Sequence, residues 1–144
     1  MVAYVDGSYD PNANAYGYSF IILEDGEEKE YRFSGAGNTQ HVLQMRNVAG
    51  ELIAAMCATK YAITHGKKHI EIRYDYEGIE RWVTGAWKAK RALTLEYKNA
   101  MKNWAEDIDI RFKKVTAHTG DIYNEMADTL AKNAITEFVR RKSS

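Results

Sequence analysis

Four acidic residues stand where a merely solvated carboxylate is not expected. Asp6 follows the apolar run Ala3-Tyr4-Val5 in "AYVDGSYD", and Asp75 follows a similar run in "IRYDYEGI". Glu51, in "NVAGELIAAM", falls in the first turn of the first helical pattern, beside its apolar face. Asp128 interrupts the apolar register of the last helix in "YNEMADTLAKNA". A lone carboxylate among apolar neighbours is costly unless a cation meets it. Four brought together without cations would raise one another's pKa and destabilise the fold. Hard divalent ions remove that penalty. An oxygen-only donor set without a Cys/His cluster points to Mg²⁺ or Mn²⁺ rather than zinc.

The acids need elements that bring them together. "MVAYVDGSY", "AYGYSFIILE" and "EEKEYRFSGAG" read as three strands, and the short turns "DPNAN" and "EDGE" between them favour antiparallel hairpins. From Val48 to His65 the period becomes helical: Leu52, Met56 and Ile63 recur, with Thr59 as a polar member of the stripe. A second stripe of Ala55, Ala58 and Ala62 lets this helix lie close to a sheet, and Gly66 ends it. "HIEIRYD" alternates as a fourth strand, followed by helical stretches over 78–87 and 94–106. "DIRFKKVTAH" is a fifth strand, and a final helix over 122–141 aligns Tyr123, Ala127, Leu130, Ala134 and Phe138. Strands four and five each follow a helix, so parallel crossover pairing is expected there. The expected fold is α/β: a five-stranded mixed sheet, three antiparallel strands then two parallel, with helices on both faces. Strands one and four then become neighbours, with Asp6 and Asp75 at or near their C-terminal ends, where ligand sites gather in open α/β sheets.

The 144 residues, 45% hydrophobic and 28% charged, predict one soluble domain over 1–144. Twenty basic and twenty acidic residues give no net charge, so the total argues neither for nor against nucleic acid. Basic clusters occur at 67–69, 88–91 and 140–142. The single cysteine, Cys57, excludes an internal disulfide and falls in an apolar helical pattern that predicts an inert core thiol. Apolar runs such as "FIIL" are too short to span a bilayer, and no signal peptide is visible, so a cytoplasmic protein without membrane contact is expected.

Four motifs in this order carry a resemblance: "DGS" after strand one, "GE" opening the helix, the strand-ending "YD", and "HTG…NEMADTLA" near the end. Over nearly its full length the chain resembles a type 1 ribonuclease H. The resemblance implies a ribonuclease H-like fold and endonucleolytic hydrolysis of the RNA strand of RNA–DNA hybrids, leaving 3′-hydroxyl and 5′-phosphate ends. It implies that Asp6, Glu51, Asp75 and Asp128 hold two divalent cations, which activate water and stabilise the leaving oxygen. His118, in a loop containing Gly120, matches the family histidine implicated in proton transfer or product release. Asn12 and Asn47 match family positions that contact the hybrid, although unaided they read equally as a turn former and a helix cap. Asn124 shares a helix face with Asp128 and could orient it or the scissile region, although a plain residue near the helix start reads almost as well. Trp82 and Trp87 precede the basic "KAKR", as tryptophans do where the family touches the DNA strand; core packing is favoured for Trp82.

The sequence also departs from the family. Tyr76-Glu77 follow Asp75 where Ser-Gln is frequent, and a negative Glu77 is unexpected beside a phosphate. The segment between Asp75 and Asp128 is short for a full basic handle. Two other readings compete: a sister nuclease of the superfamily, and a catalytically silent hybrid-binding module. Proofreading-type exonucleases place a glutamate two residues after their first aspartate, where Ser8 stands here. The start at "MVAYVDG" leaves no room for an N-terminal hybrid-binding domain, though one could accompany this domain in a longer chain. A monomer is the expected state.

Overall fold

Alternation along the first strand divides its side chains between two layers, and the rest of the fold follows from that division. The computed structural model describes residues 1–24, 28–116 and 121–143. Strands β1 (Val2–Asp10), β2 (Ala15–Glu24) and β3 (Lys29–Gly37) pair antiparallel, and β4 (His69–Tyr74) and β5 (Asp109–Lys114) add in parallel. The sheet order is β3-β2-β1-β4-β5. Ala3, Val5, Phe20 and Ile22 face the main core with Leu52, Ala55 and Ala58 of α2 (Asn47–Thr64). Tyr4, Ile21 and Leu23 face the other way, against Ala127 of α5 (Ile122–Ser143). Helices therefore cover both faces, as expected.

The small side chains of α2 explain its closeness to the sheet: Ala49, Ala54, Ala55, Ala58 and Ala62 are wholly buried. Thr59 is buried among them because its hydroxyl donates to the Ala55 carbonyl at 2.8 Å. The helix stops at His65, and Gly66 takes a left-handed φ of 68°. Cys57 is half-buried against the core, and burial pushes its thiol pKa up.

Several details differ from the sequence expectations. A one-turn helix, α1 (Gln40–Leu43), precedes α2 and buries Val42 and Leu43. Its four residues are too few to show a period. The helix after Asp75, α3 (Gly78–Thr84), ends before Trp87 because Gly85 turns left-handed at φ 87°. The next, α4 (Ala92–Trp104), starts slightly earlier than its pattern, with Arg91 and Thr94 closing a reciprocal cap. On α5 the deepest stripe is Ala127, Ala131 and Ile135, while Leu130, Ala134 and Phe138 are half-buried at its flank. Small residues win the centre because the helix backbone lies nearly on the sheet.

Candidate active site

The four acids arrive from four elements. β1 pairs with β4 only through Val2–Tyr4, then continues to Asp10 with β2 alone. Asp6 is thus mid-strand, not at the strand's end, yet it lies just past the point where the β4 ladder stops. β4 ends at Tyr74, and Asp75 is the next residue. Glu51 comes from α2, one turn inside the helix rather than in its first turn. Asp128 comes from α5 on the opposite face.

Two glycines let the helices approach this closely. A Cβ on Gly50, next to Glu51, would meet the Gly17 carbonyl oxygen at 2.0 Å and the Gly7 Cα at 2.8 Å. A Cβ on Gly17 would meet the Ala131 carbonyl oxygen of α5 at 2.2 Å. Both helices are therefore seated on the same part of the hairpin, beside Asp6.

Asp6, Glu51, Asp75 and Asp128 line one cavity of about 350 Å³, together with Asn124. Asp6 is 7% exposed and Glu51 5%. Burial pushes the Asp6 carboxyl up to about 7, and the charges of Asp128 and Asp75 add to it; the Gly7 N–H, at 2.8 Å, and Lys132 oppose. Burial likewise pushes Glu51 up to about 8, with Asp6 and Asp75 adding. Glu51 Oε2 accepts the backbone N–H groups of Tyr76 and Asp75 at 3.1 and 3.2 Å, which partly offsets the rise. Crowding does raise these pKa values, but burial is the larger cause. Asp128 meets a cation already, Lys132 Nζ at 3.0 Å one helical turn away.

As placed, no three His, Cys, Asp or Glu side chains among the described residues converge closely enough to hold an ion. Glu51 is turned to backbone N–H groups and Asp128 to Lys132. The donor chemistry nevertheless fits a hard divalent cation: the acids are oxygen donors only, and two of them are buried with their charge opposed. Release of Asp128 from Lys132 is the adjustment such an ion would require, since both N–H bonds to Glu51 fall on Oε2.

The remaining expected residues are dispersed. Asn124 is 6% exposed and lines the cavity, its N–H donating to Asp121 Oδ1 at 3.2 Å. Asn12 is exposed in the β1–β2 turn, outside the cavity lining, its N–H donating to Asp10 Oδ1 at 2.9 Å. His118 and the side chain of Asn47 lie outside the described residues. Trp82 is buried, as expected for core packing. Trp87 does not line the cavity; it is half-buried edge-on to Trp82 and Tyr76, with ring centroids 5.6 and 5.9 Å away. Glu77 is paired with Arg81 at 3.4 Å and does not line the cavity.

Tyr76 and Glu125 also line the cavity, and the sequence reading did not assign them to it. Glu125 was legible: three residues before Asp128, it shares that residue's helix face. Tyr76 had only its departure from the family pattern to mark it.

The family model for RNase H matches residues 1–136. Ribonuclease H of Bartonella quintana is 31% identical over 144 residues, covering 94% of this chain and 88% of the relative. Ribonuclease H of Wolbachia pipientis is 27% identical over 140 residues, covering 95% and 96%. RNase H1 from the halophilic archaeon Halobacterium salinarum superposes with a TM-score of 0.77 at 22% identity, covering 94% and 97%. LC11-RNase H1, solved in complex with an RNA/DNA hybrid, gives a TM-score of 0.77 at 21% identity, covering 96% and 98%. These two structures attest the fold; the family match over residues 1–136 attests descent, and the chain belongs to the ribonuclease H family.

Proposed function

We propose that this protein is an endonuclease that hydrolyses the RNA strand of RNA–DNA hybrids, leaving 3′-hydroxyl and 5′-phosphate ends. One observation carries the reading: Asp6 and Glu51, buried with raised pKa values, share one cavity with Asp75 and Asp128. Uncompensated, those charges only destabilise the fold. Asp6, Glu51, Asp75 and Asp128 would hold two divalent cations, Mg²⁺ or Mn²⁺, which when bound activate the attacking water and stabilise the leaving oxygen.

The protein's own groups do the rest. The backbone N–H groups of Asp75 and Tyr76 hold the Glu51 carboxylate in orientation. Asn124, at the cavity wall, orients the scissile region. His118 serves proton transfer or product release. Asn12 and Asn47 read the hybrid's minor groove, where the 2′-OH distinguishes RNA from DNA. Trp87 and the basic 88–91 segment meet the DNA strand. The unit of activity is one domain over 1–144, working as a monomer in the cytoplasm, with affinity that an additional hybrid-binding domain would raise.

Strand-labelled RNA–DNA hybrid, duplex DNA and duplex RNA, each with Mg²⁺ and with chelator, test the assignment. Internal cuts in the hybrid's RNA strand, only with the metal, are expected. Equal cleavage of duplex DNA, or digestion only from an end, moves the protein to a sister nuclease.

A further inference from the structure

On the α5 side of the sheet, beneath the acids, a chain of polar contacts joins three of the acid-bearing elements. Arg73 Nη1 donates to the Tyr4 hydroxyl at 2.8 Å, and that hydroxyl donates to Asp121 Oδ2 at 3.2 Å. The other oxygen of Asp121 accepts the N–H groups of Tyr123 and Asn124 at 3.0 and 3.2 Å, capping the start of α5. Behind Arg73, its Nε donates to Glu71 Oε2 at 2.8 Å. The guanidinium also lies over the Tyr4 ring, 5.3 Å from its centroid, and Tyr123 packs beside that ring at 5.4 Å.

The spacing of these residues repeats that of the acids. Tyr4 stands two residues before Asp6 on β1, and Arg73 two before Asp75 where β4 ends. The period of a strand puts Tyr4 on the same face as Asp6. Asp121 stands seven residues before Asp128, close to two helical turns. The chain is therefore a second layer that joins three of the four elements from which the acids come. Tyr4 is 4% exposed, so its two hydroxyl bonds have little competition from water.

We infer that Arg73, Tyr4 and Asp121 are positioning residues: their relay sets the separation between the strand-borne acids and Asp128, and with it the affinity for divalent metal. The inference rests on reading the acid cavity as the metal site. α5 also packs on the sheet through Ala127, Ala131 and Ile135, contacts that are non-directional and so constrain that separation less than a bond does. A directional relay through a buried phenol defines it.

Two substitutions break the relay at different atoms while leaving α5 capped. Tyr4→Phe keeps the ring, its cation contact and its packing on Tyr123, but removes the bridging hydroxyl. Asp121→Ser keeps a strong cap and is too short to reach Tyr4. The readout is the Mg²⁺ concentration that half-saturates the rise in melting temperature, measured on the full chain without substrate. Each variant should raise that midpoint about threefold to tenfold, below the ~10–100-fold typical for partners bonded directly to metal ligands. The double variant should be no worse than the worse single one, since the bonds act in series. A lower melting temperature in chelator with an unchanged Mg²⁺ midpoint would overturn the inference, leaving the relay as structural support only. If the wild type itself shows no Mg²⁺-dependent rise, the metal-site reading fails, and the inference fails with it.

Discussion

Helices α2 and α5 deliver acids to the same cavity from opposite faces of the sheet, but they are attached by different means. α2 presses wholly buried alanines and Leu52 into the main core, which also contains β4 and residues of α3 and α4. α5 meets the sheet through a smaller cluster, the backbone contact at Gly17, and polar ties. One tie is the Ser19 hydroxyl, buried and donating to the Ala127 carbonyl at 2.5 Å. Glu51 is thus located by apolar packing, and Asp128 by a close backbone approach supplemented by directional bonds. The helix held partly by bonds is also the one whose acid is shared with a lysine, so Asp128 is the more adjustable partner when a cation must be enclosed.

The sharpest break in that comparison is chemical. Glu51→Gln should keep the fold, since the amide oxygen can still accept the Asp75 and Tyr76 N–H groups, yet lower cleavage by about a thousandfold or more, the scale of several kcal/mol of lost charge stabilisation. Cleavage surviving within tenfold would remove Glu51 from the site. Truncation tests the two attachments next. Leu52→Ala, in the packed face of α2, should cost about 2–5 kcal/mol in chemical denaturation, whereas the half-buried Leu130 on α5 should cost less when cut to alanine. Equal losses would mean both helices are held by packing.

A pH series addresses the shared cavity. The folded-state pKa values of Asp6 and Glu51 are raised to about 7 and about 8, above their ordinary 3.8 and 4.5. The folded protein therefore binds more protons than the unfolded chain between about pH 4 and 8. In chelator this contribution to stability is fully present below the ordinary values and is lost as pH rises through 7 and 8, on the order of several kcal/mol. Saturating Mg²⁺ should flatten the loss. Melting curves that are flat across this window in chelator would show that the two carboxylates do not titrate as the cavity requires. The smallest effect belongs to Ser19→Ala, about 1 kcal/mol from one neutral hydrogen bond. It should fall on thermal stability and leave the substrate KM within twofold.

Much of the architecture was legible because it is periodic. "AYV" and "FII" alternate between two cores, and the Ala55, Ala58 and Ala62 spacing announces a helix lying close on a sheet. The four acids were legible for the same local reason: each interrupts or ends an apolar pattern, and interruption is visible without any partner. Signals with no period failed. α1 is too short to repeat, and the end of α3 depends on one left-handed glycine. On α5 the pattern aligned Ala127 with Leu130, Ala134 and Phe138, yet Ala131 and Ile135 join Ala127 in the deepest stripe, because Gly17 admits the backbone itself.

By itself, then, the sequence determined which faces are apolar, the order of strands and helices, and which carboxylates are out of place. Only the tertiary structure decided that Asp6 lies mid-strand just where β4 stops pairing, that Gly50 stacks on Gly7 and Gly17, and that burial more than crowding raises Asp6 and Glu51. Tyr4 and Asp121 meet across 117 positions of chain. Periodicity reports what a residue's own element does with it. Which distant residue it meets is set by strand register, by how closely backbones approach, and by buried polar groups that need specific partners.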